Sequence, residues 1–193
     1  MIPIFHRVNT IEKLQKIPTN AGVEIDLRSN QRELILSHDP SDSGENFKDF
    51  LKEFQHQLLV VNIKEAGIEK EVMEALEENK IANYFLLDIE NPFLIQNYKK
   101  YGNHLSLRFS KFESVETINN FKKTVDWLWV DTYDDFEITK ESSDIIRNFK
   151  TCLVSPSRWG NSFTIEYFIE KFREFNISID FVMIEDHEYE SIL

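Results

Sequence analysis

Two acidic residues set two positions apart in an apolar run, Gly22-Val23-Glu24-Ile25-Asp26-Leu27, form the strongest chemical feature of this chain. Strand side chains alternate between faces, so Val23, Ile25 and Leu27 share one side and Glu24 and Asp26 share the other. An isolated Glu-x-Asp pair more often marks a solvated strand face. Buried side by side, the two carboxylates would repel each other and lose hydration. A divalent cation removes both costs, and oxygen donors suit Mg2+ or Ca2+.

Other reactive residues flank this pair. His6-Arg7 ends an apolar run, and His38-Asp39 follows Leu34-Ile35-Leu36. Two imidazoles around one site can divide the work, one accepting a proton while the other donates. Arg7 suits a phosphate oxygen, and Asp39 suits the orientation of an imidazole. Arg108 and Arg158 are further cations for a phosphate or carboxylate; surface ion pairs are their ordinary alternative. Trp159 or Tyr133 can stack on a sugar or glycerol-like group, whereas Trp127 reads as core and Trp129 as either. His56 and His104 fall at strand starts or helix ends, away from the other histidines.

The elements that must position these residues are legible as a rhythm. Apolar runs at residues 2–8, 23–28, 58–64, 84–89, 105–109, 127–133, 151–155 and 179–185 predict eight strands. Helical stretches are predicted at 10–17, 47–56, 68–78, 92–100, 114–123, 139–149 and 164–175, with half of a small hairpin at 33–37 and a turn-rich segment at 39–44. This alternation predicts a parallel sheet covered by helices, and eight units point to a closed (β/α)8 barrel of the TIM type, α/β in class, small and with short loops. In such a barrel the C-terminal strand ends converge on one mouth. An open doubly wound sheet is the competing arrangement, but neither common glycine-rich phosphate loop is present.

The ordered set His6-Arg7, Glu24-x-Asp26 and His38-Asp39 resembles the signature of the glycerophosphodiester phosphodiesterases. That family belongs to a barrel superfamily that includes phosphatidylinositol-specific phospholipases C and sphingomyelinase D toxins. Asn9-Thr10 resembles the end of the family's Glu-Asn-Thr element, and Asn62-Ile63-Lys64 its Glu-x-Lys element. The resemblance covers residues 2–64. It implies a metal-dependent phosphodiesterase with His6 and His38 as general acid and base. It also implies metal ligands at Glu24, Asp26 and Asn62 and a phosphate contact from Lys64; by their own chemistry and place at strand ends, Arg7 and Arg108 are read as further phosphate contacts. Val8 stands where the family has Gly, the insertion after His-Asp shrinks to residues 40–46, and Asn62 replaces a third carboxylate. An amide oxygen can ligate a metal but brings no charge, so Asp88 and Asp131 become candidates to supply it.

Composition limits the remaining choices. The 193 residues, 41% hydrophobic and with 16 Phe, are enough for one domain over 1–193 with a sizeable core. A net charge of −12 disfavours nucleic acid as a partner. No run approaches a membrane span, and no lid or amphipathic anchor predicts stable membrane insertion. The single Cys152 excludes an internal disulfide framework, and the opening residues lack the pattern of a signal peptide; both fit a cytoplasmic protein. The expected partner is a small-molecule phosphodiester. Three functions compete: a hydrolase of glycerol or polyol phosphodiesters, a lyase that stops at the cyclic phosphate, and a binding module that has lost catalysis, the reading that Asn62 favours.

Overall fold

The eight apolar runs become eight parallel strands, four in each half of the chain. The computed structural model describes residues 1–31, 33–40, 43–160 and 162–189. They fall into two compact units, the described residues of Ile4–Leu94, and Met1–Pro3 with those of Ile95–Leu193. Positions 41 and 42 of the turn-rich segment lie outside the described residues. Among the described residues, no helix is long and apolar enough to cross a membrane.

The unit Ile4–Leu94 opens with the last two residues of β1 (Ile2–Phe5), followed by a single helical turn, α1 (Ile11–Leu14), capped by the Thr10 hydroxyl. β2 (Gly22–Asn30) runs parallel to β1 over Ile4↔Gly22 and Phe5↔Val23. Its far end forms the expected hairpin with β3 (Glu33–Leu36), which also pairs with the two-residue β4 (Glu45–Asn46). Asn46 then caps α2 (Phe47–Glu53), its side-chain oxygen accepting from the N–H groups of Lys48 and Asp49. β5 (Leu58–Ile63) lies along β2 from Gly22↔Leu58 to Leu27↔Ile63. α3 (Glu69–Glu78) buries Val72, Ala75 and Leu76 at helical spacing, and β6 (Tyr84–Leu87) pairs with β5.

After α4 (Asn91–Tyr101), the second unit repeats the scheme with β7 (Ser106–Phe109), α5 (Val115–Asn119), β8 (Trp127–Val130), α6 (Lys140–Ile146), β9 (Lys150–Val154), α7 (Ile165–Glu174) and β10 (Phe181–Ile184). β7, β8, β9 and β10 pair in that order, all parallel. Phe136, Phe168 and Phe172 form an aromatic core under α7. Trp127 is core, as expected, with its indole N–H donating to Asn103 O. The turn before β7 requires Gly102, since a Cβ there would sit 1.5 Å from the Thr124 carbonyl oxygen.

Several boundaries differ from the sequence reading. β1 stops at Phe5 rather than Val8 because Arg7 adopts φ 51°, a left-handed conformation that ends an extended strand. β8 stops at Val130, three residues early, and β6 two residues early, where Asp88 has φ 60°. α1 and α5 are shorter than predicted, and turns occupy 120–124. β4 was not anticipated: a two-residue strand carries no periodicity.

Removing one cap should be a small loss, and filling the Gly102 contact a larger one. Asn46→Ala is expected to lower unfolding stability by about 1 kcal/mol in urea titrations. Gly102→Ala should lower it by more, because backbone must move; equal midpoints for the two variants would contradict this packing.

Candidate active site

Both faces of β2 are buried. Val23, Ile25 and Leu27 are fully covered, and Glu24 and Asp26 are each only 1% exposed. The solvated-face reading of the Glu-x-Asp pair is therefore wrong for this chain. The two acids meet three other segments of the same unit, all brought in by the local path of the chain.

The first segment is residues 7–9. The left-handed turn at Arg7 points its backbone N–H at Glu24 Oε2 (2.8 Å), and Val8 N–H donates to the Glu24 carbonyl (2.8 Å). Asn9 then makes a reciprocal pair with Asp26. Its Nδ2 donates to Asp26 Oδ2 (2.9 Å), and its Oδ1 accepts from the Asp26 backbone N–H (2.8 Å). Where β1 has ended, Asn9 thus continues the ladder with a side chain.

The second segment is the end of β5, whose register places Asn62 opposite Asp26. Asn62 Nδ2 donates to Glu24 Oε1 at 2.9 Å. Lys64 follows, its backbone N–H on the Leu27 carbonyl and its Nζ 3.2 Å from Asp26 Oδ1. That approach is an ion pair without hydrogen-bond alignment, since Asp26 Oδ1 is buried and lacks a hydrogen-bond donor. The third segment follows β3. Ser37 N–H donates to the Asp26 carbonyl, and Arg28 Nε holds the His38 carbonyl at 3.0 Å.

Among the predicted acid–base residues, His38 Nδ1 lies 2.8 Å from Asp39 Oδ1. Asp39 is 87% exposed, and its carboxyl is held below the usual range chiefly by that hydrogen bond and the His38 charge, with a smaller contribution from Arg7. A carboxylate can only accept, so Nδ1 is the donor of this pair and Nε2 is turned to other partners. His6 is half-buried directly before Arg7, and its carbonyl accepts from Lys13 Nζ (2.9 Å). His56 hydrogen-bonds the Ile17 carbonyl, and burial lowers its pKa, in keeping with a structural role.

Arg7 is a second cation at Asp26. Its Nε is buried without a hydrogen-bond partner, 3.8 Å from Asp26 Oδ2. Glu24 is the converse case. Burial first, and the Asp26 charge second, push its pKa up to about 7, against the opposing pull of Arg7 N–H, Asn62 and Lys64.

The donor set can be tested against a hard cation. Asp26 Oδ1 and Asn62 Oδ1 are facing positions of the β2–β5 register, and both are buried acceptors without a donor. Beside them stands a carboxylate short of compensating charge. Oxygen donors with unused lone pairs fit magnesium or calcium. Among the described residues, however, no cluster of three His, Cys, Asp or Glu side chains is arranged to hold a metal, so the set rests on two carboxylates and one amide. Of the two candidates for a further acid, Asp88 is exposed after β6. Asp131 is buried in the second unit, where Arg108 donates to one carboxylate oxygen and Trp129 Nε1 to the other (3.1 Å). Arg108, predicted as a phosphate contact, thus has Asp131 as its ion-pair partner.

Asn9 is the residue that the sequence reading left without a role. Its only signal was its position in the Asn-Thr pair directly after His6-Arg7-Val8.

No family model and no curated protein sequence matches the chain. Solved structures do. A glycerophosphoryl diester phosphodiesterase from Parabacteroides distasonis is 14% identical, with a TM-score of 0.61, covering 100% of this chain and 87% of that one. A glycerophosphodiester phosphodiesterase from Agrobacterium tumefaciens is 10% identical, with a TM-score of 0.60, covering 95% and 96%. The tryptophan synthase alpha subunit from Campylobacter jejuni is also 10% identical, with a TM-score of 0.57 over 95% and 86%. At such identities the likeness shows the fold alone. The fold is the α/β TIM-type (β/α)8 barrel.

The raised Glu24 pKa sets a direction for stability. A carboxyl near 7 in the folded state and near 4.5 unfolded stabilises the fold fully below pH 4.5 and ceases to as pH rises through 7. In chelator-treated protein, Glu24→Gln should therefore gain stability relative to wild type between pH 5 and pH 8, by roughly 1–3 kcal/mol. Urea unfolding at the two pH values checks this; a constant difference would contradict it.

Proposed function

We propose that this chain is a phosphodiesterase that cleaves a small phosphodiester of glycerol or a similar polyol, with His6 and His38 as general acid and base. The observation that carries the reading is Arg7 Nε, buried without a hydrogen-bond partner, together with Lys64 Nζ at the same buried carboxylate, Asp26. A cationic donor in want of an acceptor suits a phosphate oxygen. The barrel likeness to two glycerophosphodiester phosphodiesterases supports the same reaction class.

In this reading Arg7 and Lys64 bind the non-bridging oxygens. His38, with Nδ1 directed at Asp39, exchanges a proton through Nε2, and His6 serves the opposite partner of the displacement. Attack by a substrate hydroxyl gives a cyclic phosphate and attack by water the open product, so phosphorus NMR of the reaction separates lyase from hydrolase. Glu24, Asp26 and Asn62 would hold a divalent cation, which when bound supplies Lewis-acid stabilisation of developing oxyanion charge. Asn9 fixes the Asp26 carboxylate.

A second reading, a phosphate-binding module without turnover, is favoured by Asn62, whose amide brings no negative charge to the cation site. Turnover assays with magnesium, calcium or manganese on glycerophosphodiesters decide between the two.

Two outcomes are expected. Magnesium or calcium should raise the Tm of wild type by mass action, and Glu24→Gln/Asp26→Asn should abolish that rise in a folded protein. His6→Ala and His38→Ala should each reduce kcat about 10²–10⁴-fold, with their joint loss below the product of the two. His56→Ala is the control. Slowing no greater in the site variants than in this control would remove the catalytic assignment.

A further inference from the structure

The cation site already contains a cation. Lys64 Nζ stands 3.2 Å from Asp26 Oδ1, and the Lys64 side chain as a whole is 18% exposed. Its geometry, however, is that of a placeholder. No hydrogen bond forms, and Asp26 Oδ1 remains an orphaned acceptor. The other three carboxylate oxygens of the pair each take an N–H donor: Arg7 N–H and Asn62 Nδ2 on Glu24, and Asn9 Nδ2 on Asp26. Asp26 Oδ1 is thus the one acid oxygen that only a charge addresses.

The charge balance makes this contact consequential. Glu24 and Asp26 stand among Arg7 and Lys64, two acidic side chains against two basic ones, and Asn62 adds no charge. A divalent cation entering this cluster meets no net negative charge while Lys64 remains on Asp26. Once the ammonium leaves, the same oxygens carry an unbalanced negative charge.

We propose that Lys64 and a divalent cation compete for Asp26 Oδ1, so that Lys64 holds Asp26 in the metal-free protein and is released toward the substrate phosphate when the metal binds. This rests on the cation site proposed above. It assigns Lys64 two successive partners, a carboxylate and then a phosphate oxygen, and makes metal binding the event that arms the phosphate grip. Lys64 thereby also acts as a determinant of metal affinity, opposing the metal by its charge.

The test measures metal binding rather than turnover. Chelator-treated wild type, Lys64→Met and Lys64→Arg are titrated with magnesium or calcium alone by calorimetry. Removing the competing charge should tighten metal binding by about ten- to a hundredfold in Lys64→Met. Lys64→Arg keeps the charge and should stay near wild type. In unmutated protein, amine acetylation read by mass spectrometry should rise at Lys64 on metal addition, because the ammonium loses its carboxylate partner. Metal binding by Lys64→Met with no detectable binding by wild type supports the competition most strongly. Equal affinities in wild type and Lys64→Met, or unchanged Lys64 labelling at saturating metal, overturn the competition and leave the cation site standing. Absence of metal binding in all three proteins overturns both.

Discussion

Burial of two like charges on one strand is the constraint around which the Ile4–Leu94 unit is organised. Glu24 and Asp26 share a face, lie beyond the reach of solvent and cannot separate, because strand alternation holds them two residues apart. Left alone, such a pair would cost several kcal/mol. Every nearby departure from regular structure delivers a donor to it. The left-handed Arg7, itself a conformation costing of order 1 kcal/mol, brings a backbone N–H. The interrupted β1 makes room for Asn9, and the β2–β5 register brings Asn62 and then Lys64.

The compensation is incomplete. Among the described residues, the buried polar side-chain atoms without a partner are Arg7 Nε, Asp26 Oδ1, Asn62 Oδ1 and His56 Nδ1. Three of these four surround the acid pair. The proposed cation and phosphate would give these atoms partners. The Glu24 pKa near 7 reports the same deficit in electrostatic form.

The second unit offers an internal contrast. Asp131 is as deeply buried at the end of β8 as Asp26 is on β2. It accepts from the Arg108 guanidinium on one oxygen and the Trp129 indole on the other, and none of its atoms is orphaned. A buried acid can therefore have both oxygens hydrogen-bonded within this fold, by donors that include an arginine and an indole. The first unit leaves Asp26 otherwise, with Lys64 near one oxygen but out of hydrogen-bond alignment.

Much of the fold was readable from local pattern. Eight apolar runs separated by amphipathic stretches specify parallel strands with covering helices, since side-chain period and burial are set over a few residues. The placement of Glu24 with Asp26, and of His38 just beyond a hairpin strand, follows from the same short-range rules. The strand ends did not follow, because the stop at Phe5 depends on a left-handed Arg7 that Glu24, 17 residues away, rewards with a hydrogen bond. Nor did the role of Asn9, whose partner is also 17 residues distant, or the contact of Asn62 with Glu24 across 38. Local periodicity says which residues face inward. It cannot say which inward residues meet, because that depends on strand register and on where each strand stops, both set by contacts between distant segments. The Glu-x-Asp motif thus marked where the charges would be, and tertiary packing decided that they would be buried, unequally compensated and held beside a lysine.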